Sequence, residues 1–437
     1  MRDAAIEIVK ALHGAGYTAY FAGGCVRDGL MGVEPGDYDI ATNATPDDVR
    51  KIFPDCKEVG AHFGVMIVRR FGADFEIATF RQDGSYEDGR HPESVEFSSP
   101  QEDAKRRDFT INGLFYDPVA EEIIDFVGGQ EDLKKQTLRA IGDPGKRFAE
   151  DHLRLMRAVR FATTLGFEID PVTWQAIIDH APHLQSIAIE RTRIEFEKIL
   201  VSPNRLRGFD LLVKSGLMRY IIPEIFDLQG CEQPPQFHPE GDVFEHVRIM
   251  LDLLDDKAGL PVVLSVLLHD IGKPATYSYD EEAERIRFNG HAEVGAKMAD
   301  EILHRLKFPN AVIEATVEAV AQHMVFKDVQ HMRVSRLKRF MARPHFEGEM
   351  ELHRVDCLSS NGLLDNYQFI RDKQEEFAKE PIIPPPLVNG KDLLEEGWKP
   401  GPEMGKLLRE IQTLQLEGTL STREQALEWL RTEYKAQ

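Results

Sequence analysis

Two carboxylates one residue apart, Asp37 and Asp39, follow shortly after a Gly23-Gly24 pair. In a strand, alternate residues share a face, so these carboxylates are expected side by side. Like charges that close are unfavourable unless a cation joins them, and hard oxygen ligands suit Mg²⁺. Paired Mg²⁺ ions held there can activate a hydroxyl and stabilise a departing pyrophosphate. The two glycines let backbone N–H groups approach a triphosphate without obstruction. A third acid completes the arrangement, and Glu76, in Phe75-Glu76-Ile77-Ala78-Thr79-Phe80, supplies one. Asp74 has the same parity but follows Gly72-Ala73, which reads as a hairpin turn.

A second constellation runs His246, His269-Asp270, His291, His323 and Asp356. The adjacent His-Asp closes an apolar helical run, which brings an imidazole and a carboxylate to one cavity. Mixed ligands of this kind suit Mn²⁺, Fe, Ni²⁺ or Zn²⁺ better than Mg²⁺ alone. A metal so held can generate hydroxide and clamp a phosphate oxygen, the chemistry of phosphoester hydrolysis.

The elements that must position these groups change character along the chain. Tyr20–Gly24, Asp37–Thr42, Phe63–Arg70, Phe75–Phe80 and Ile111–Tyr116 read as strands, and Arg2–His13 and Pro46–Phe53 as helices between them. After Gly142 helical periodicity dominates, as in Phe148–Leu165, Thr192–Leu200 and Ala311–His323, and strand signals almost vanish. The expected division is an α/β head with a small mixed sheet (1–142), an all-α neck (143–205), a helical body (206–375) and a helical tail (376–437). The class is α+β.

At 437 residues more than one core is expected. Hydrophobic residues at 42% fit a soluble globular protein, and no run approaches the ~20 apolar residues of a membrane span. The N-terminus has no signal-peptide pattern, and the four cysteines lie far apart, so a reducing cytoplasm is the expected location. A net charge of −21 argues against unspecific nucleic-acid binding, though local basic clusters such as Lys105-Arg106-Arg107 leave RNA open. No membrane and no stable protein partner are expected.

Several segments in register resemble one family. Gly-Gly-Cys-Val-Arg-Asp with Asp-Tyr-Asp-Ile-Ala-Thr-Asn-Ala-Thr-Pro, then Arg106-Arg107-Asp108-Phe109-Thr110-Ile111-Asn112-Gly113-Leu114, are similar to the first two motifs of class II tRNA nucleotidyltransferases and poly(A) polymerases. The run Glu150-Asp151-His152-Leu153-Arg154 through Phe161 resembles that family's neck motif. The resemblance implies a palm-like head that binds CTP and ATP and extends the 3′ end of tRNA. It assigns nucleotide contacts to Gly23, Gly24, Arg27, Arg107, Asp108, Asn112, Arg157 and Arg160. Asp151 and Arg154 become a protein template that pairs with the incoming base. On a helix, Glu150, Arg154 and Arg157 fall at i, i+4 and i+7, consistent with one receptive face. The polar segment Gln82–Pro92 resembles the family's loop for switching to A addition.

The histidine set in turn resembles the HD phosphohydrolases. His246, His269, Asp270 and Asp356 match core metal ligands, and His291 and His323 match positions that add a second metal. Asp365 is a rival to Asp356, which its helical context favours. The tail after Pro386 resembles a tRNA-gripping piece. The leading expectation is therefore CCA addition to tRNA with an accessory HD phosphohydrolase. A poly(A) polymerase or A-adding enzyme is the near alternative. A metal-dependent phosphatase or 2′,3′-cyclic phosphodiesterase whose head only binds RNA is the distant one.

Overall fold

Seven strands build one mixed sheet in the first of two compact units, Met1–Pro223 and Glu224–Gln437. The computed structural model describes residues 1–59, 64–84, 95–236, 238–378 and 381–434. The sheet contains β1 (Ala19–Ala22), β2 (Ile40–Thr42), β3 (Lys57–Glu58), β4 (Val65–Arg70) and β5 (Ala73–Thr79). A separate ribbon pairs β6 (Arg81–Asp83) with β7 (Val95–Phe97), and β8 (Leu114–Asp117) and β9 (Glu122–Asp125) return to the main sheet. The order is β3-β4-β5-β2-β1-β8-β9. Strands β2 and β5 run parallel, with Ile40 opposite Ile77, and the other neighbours run antiparallel. Helix Arg2–Gly14 buries Ala5, Ile8 and Leu12, a 3–4 spacing, in a core with Phe21, Ile40, Val68 and Ile77.

Three expected elements take a different form. The strand anticipated from Asp37 begins at Ile40. Its partner β1 is too short to extend it, because Gly23 turns away at φ +73° into helix Gly24–Leu30. The alternation nevertheless persists: Tyr38 is buried while Asp37 and Asp39 stay open, and the Ala22 N–H donates to the Asp39 carbonyl at 3.0 Å. The strand expected from Ile111 gives way to a 3₁₀ turn at Thr110–Asn112. There the Asp108 carboxylate accepts from the Phe109 N–H at 2.8 Å and from Asn112 Nδ2 at 3.1 Å. The helix expected over Phe148–Leu165 is two, Pro144–Glu150 and Leu153–Leu165, separated by an extended Asp151. Asp151 Oδ1 accepts the N–H of Leu153, the first residue of the second helix, at 3.0 Å.

Beyond the sheet, Leu153–Leu165, Ile189–Leu200 and Arg205–Lys214 pack together, and Gly208 makes this possible. A Cβ there would lie 2.4 Å from Ile199 Cγ2 and 2.8 Å from Thr163 Oγ1. In the second unit, helices Val243–Leu253, Leu260–Leu268, His291–Arg305, Asn310–Gln322 and Phe346–Ser359 form the body. Leu260–Leu268 is buried over most of its length, as its apolar sequence demands, and its one polar side chain, Ser265, donates to the Pro261 carbonyl at 2.7 Å. An antiparallel hairpin, Ser278–Asp280 with Arg285–Arg287, was not signalled by the sequence, whose turn contains neither Gly nor Pro. Pro402–Leu416 and Arg423–Glu433 bury Leu407, Ile411 and Leu430 in a tail core with Val388 and Leu393. Among the described residues, no helix is long and apolar enough to cross a membrane. Phe63 and residues 85–94, most of the segment resembling the switching loop, lie outside the described residues.

Candidate active site and metal centre

Gly23 and Gly24, at the end of β1, form one wall of a cavity of about 510 Å³ in the first unit. Asp37, Asp39, Arg27, Arg107, Asp108, Asn112, Asp151, Arg154, Arg157 and Arg160 also line it, together with Arg106 and Phe161. Six arginines against four aspartates make this cleft cationic in a strongly acidic chain. Glu76 is not among the lining residues, but β5 lies beside β2 and sets it next to Asp39. Desolvation, with Asp37 and Glu76 adding like charge and Arg107 opposing, pushes the Asp39 carboxyl up to about 6. Three carboxylates crowded together, Asp39 among them with its proton held more tightly than usual, give the electrostatics of a divalent-cation site. Asp74 pairs instead with Arg69 across the β4–β5 hairpin at 3.4 Å.

Gly23 is there for steric reasons as well as for its φ. A Cβ would lie 2.9 Å from Arg107 Nη1, the guanidinium that crosses beneath the turn. Arg107 is itself held by Asp103 at 3.1 Å, and Arg27 donates to Asn112 Oδ1 at 2.7 Å. Burial opposes ionisation of Asp108, but paired donation from Arg157 at 2.6 and 2.8 Å holds it down to about 2. Arg154 donates to Glu150 at 2.6 Å and to the carbonyls of Arg147 and Arg106 at 2.8 and 3.1 Å. Asp151 is also approached by Arg191 at 3.3 Å. Arg27, Arg107, Arg154, Arg157 and Arg160, all in the lining of the cleft, are each held by protein acceptors.

In the second unit the six expected groups converge. His269, His291 and His323 each place Nδ1 2.7–2.9 Å from the carbonyl three residues before it, of Val266, Phe288 and Val320. A carbonyl only accepts, so Nδ1 carries the hydrogen and Nε2 presents a lone pair in the neutral ring. These Nε2 atoms stand 3.1, 3.5 and 3.9 Å from the Asp270 oxygens, and His246 Nε2 stands 3.2 Å from Asp356. The Nε2 atoms of His291 and His323 oppose each other at 3.1 Å. Among the buried atoms without a hydrogen-bond partner are His246 Nε2, His269 Nε2 and Asp270 Oδ1. Inward lone pairs with backbone-fixed outer nitrogens are what a divalent metal needs. Among the described residues, three groupings bring such donors together: His246, His269 and Asp356; Asp270, His291 and His323; and His238, Glu240 and His246. Asp365 lines the adjoining cavity but belongs to none of them.

Sequence reasoning missed the supports. Glu240 Oε1 accepts from Nδ1 of both His238 (2.9 Å) and His246 (2.6 Å). Lys273, one helical turn beyond Asp270, reaches Asp270 and Gln233, each at 2.6 Å. Its i+3 spacing was the available signal. An adjoining cavity of about 820 Å³ carries Lys273, Arg285, Arg287 and Lys327, a lining suited to a phosphoester. Gly272 admits no side chain, since a Cβ would lie 2.4 Å from the His291 carbonyl and 2.6 Å from the Gly295 nitrogen. Gly272→Ala is therefore expected to lower stability by roughly 2–3 kcal/mol and to displace His291. Thermal melting and metal content after dialysis would measure both effects, and an unchanged metal content would refute the displacement.

Comparison with known proteins gives these sites a lineage. Residues 19–139 match the Poly A polymerase head domain, 166–228 the probable RNA and SrmB-binding site of polymerase A, and 243–359 the HD domain. The CCA-adding enzyme of Streptococcus suis is 32% identical over 430 residues, covering 97% of this chain and 94% of that protein. The chain belongs to the CCA-adding enzyme family. The CCA-adding enzyme of Geobacillus stearothermophilus is 48% identical over 218 residues, and this match spans about half of each protein, 50% of this chain and 54% of the relative. The crystal structure of the Bacillus stearothermophilus CCA-adding enzyme in complex with CTP superposes with a TM-score of 0.76 at 29% identity, covering 98% of both chains. The mixed-sheet head, helical body and HD domain are thus those of a CCA-adding enzyme, and both domain types imply divalent metals.

Proposed function

We propose that the chain builds or repairs the 3′-CCA end of tRNA from CTP and ATP, without a nucleic-acid template, in the cytoplasm. One observation carries this reading: a single cationic cleft joins the Asp37/Asp39 carboxylates to the Asp151/Arg154 pair. A nucleotide has those two ends, a triphosphate and a base edge. Mg²⁺ held by Asp37 and Asp39, with Glu76 beside them, would supply Lewis-acid activation of the 3′-hydroxyl and of the leaving oxygen. Arg27, Arg107, Arg157 and Arg160 orient the triphosphate, with Gly23 and Gly24 giving it backbone access, while Asn112 and Asp108 fix the ribose side. Asp151 and Arg154 offer an acceptor and a donor fork to the base, so a mismatched base leaves polar groups unpaired. The 3′-hydroxyl oxygen attacks the α-phosphorus in line and gives its proton to solvent, the bond from that phosphorus to the α–β bridging oxygen breaks, and pyrophosphate departs toward the arginines.

The test uses tRNA transcripts ending at the discriminator base, in C, or in CC, each given labelled CTP, ATP or both. Addition that completes CCA and stops is the expected result. A lone A on the CC substrate only, or an A ladder on any RNA, would favour the A-adding or poly(A) alternative and refute CCA addition. A second activity, phosphoester hydrolysis at the HD centre, rests on the inward Nε2 set and the basic cavity beside it. His246, His269, Asp270, His291, His323 and Asp356 would hold Mn²⁺, Ni²⁺, Fe or Zn²⁺ there.

A further inference from the structure

Phe161 is the one aromatic ring lining the head cavity, and three of the arginines around it converge on that ring. The guanidinium carbons of Arg27 and Arg157 lie 5.3 Å from its centroid, and that of Arg160 lies 3.8 Å away. Phe109 meets Phe161 edge-on at 5.8 Å and fixes its tilt. Each arginine is anchored elsewhere by a polar partner: Arg27 by Asn112, Arg157 by Asp108 and Arg160 by Glu195. Those anchors lie on separate elements, the 3₁₀ turn, the loop before it and helix Ile189–Leu200. Asn112 donates to Asp108 at 3.1 Å, so the anchors of Arg27 and Arg157 are tied to each other, and Asp108 and Glu195 supply the anionic charge. Phe161 is the group that all three guanidiniums share, and its negative face attracts each cation and partly offsets their repulsion.

We propose that Phe161 is the positioning residue of the anion cradle, holding Arg27, Arg157 and Arg160 together so that they meet a nucleoside triphosphate as a preformed unit. This deepens the nucleotide reading of the cleft and rests on it. The three arginines it gathers are those assigned to the triphosphate, which CTP and ATP share, so its effect is expected to be equal for both nucleotides.

Ring fluorination separates this role from simple packing. Phenylalanine analogues of increasing fluorine content at position 161 keep the side chain's shape while draining negative potential from its face. The full chain, with Mg²⁺, would be titrated with CTP and with ATP by calorimetry. Both dissociation constants are expected to rise stepwise, by roughly tenfold for the pentafluoro ring, with their ratio held. Phe161→Leu should weaken both at least as much, and Phe161→Tyr should return both to within about threefold of wild type. Dissociation constants indifferent to fluorination would overturn the proposal, as would a change confined to one nucleotide. A wild-type chain that binds neither CTP nor ATP would instead refute the nucleotide reading itself, a result distinct from normal binding that ignores the ring.

Discussion

Asp39→Ala is expected to abolish nucleotide addition, with kcat falling by roughly 10³-fold or more, since several kcal/mol of charge stabilisation would be lost. The same carboxyl sets the acid limb of the pH profile. Its pKa stands near 6 in the folded chain, above the ordinary value of 3.8, because of desolvation and then its acidic neighbours. Below about pH 6 a proton therefore competes with the cation, and the Mg²⁺ needed for half-maximal rate should rise roughly tenfold per pH unit. The sign for stability is the opposite of that for activity. An acid whose folded pKa is raised destabilises the fold once ionised, a penalty absent below about pH 4 and complete above about pH 6. Metal-free Asp39→Asn should consequently melt at or above the wild-type temperature at pH 8, with the gap closing near pH 4. A variant that keeps adding nucleotides would remove Asp39 from the chemistry. One that loses activity along with a clear drop in melting temperature would make its role structural.

The second large effect belongs to the other unit. His269→Ala removes one inward Nε2 from the set around Asp270. It leaves the buried Asp270 carboxylate, which lies well below the usual range despite its burial, with Lys273 as its cationic partner at 2.6 Å. Retention of transition metal should fall roughly 100-fold or more, and hydrolysis of 2′,3′-cyclic nucleotides or p-nitrophenyl phosphate should vanish with it. CCA addition should continue, because His269 does not line the head cavity. Metal analysis after dialysis, beside parallel assays of both activities, separates the outcomes. Hydrolysis that survives the loss of His269 would refute the assigned centre. Hydrolysis absent from the metal-loaded wild type would leave the HD centre without its proposed reaction.

Much of this was legible before any coordinates. The strand-like runs of the first 142 residues, and the 3.6-residue periodicity after them, correspond to a sheet-bearing head and a helical remainder. Residues scattered from Gly23 to Arg160 meet in one cleft, and those from His246 to Asp356 around one centre. What escaped was set by tertiary context. Periodicity continues through Asp151 because its neighbours alternate correctly, while the carboxylate's bond to Leu153 N–H breaks the helix. Asp37 and Asp39 have strand parity without strand pairing, since β1 ends at Gly23. Glu240 orients His238 and His246 and was not read as a support, and Lys273 was marked only by its i+3 spacing from Asp270. The contact boundary at Pro223/Glu224 was not signalled, because helical periodicity is the same on both sides.

One Asp151 oxygen accepts the first N–H of a helix, and the other, 3.3 Å from Arg191, meets the base on the reading above. A substitution at this carboxyl is then expected to disturb base choice and the helix junction in one step. An enzyme copying from a nucleic-acid template changes its text by exchanging the template, whereas on this reading the present chain changes its text only by changing itself.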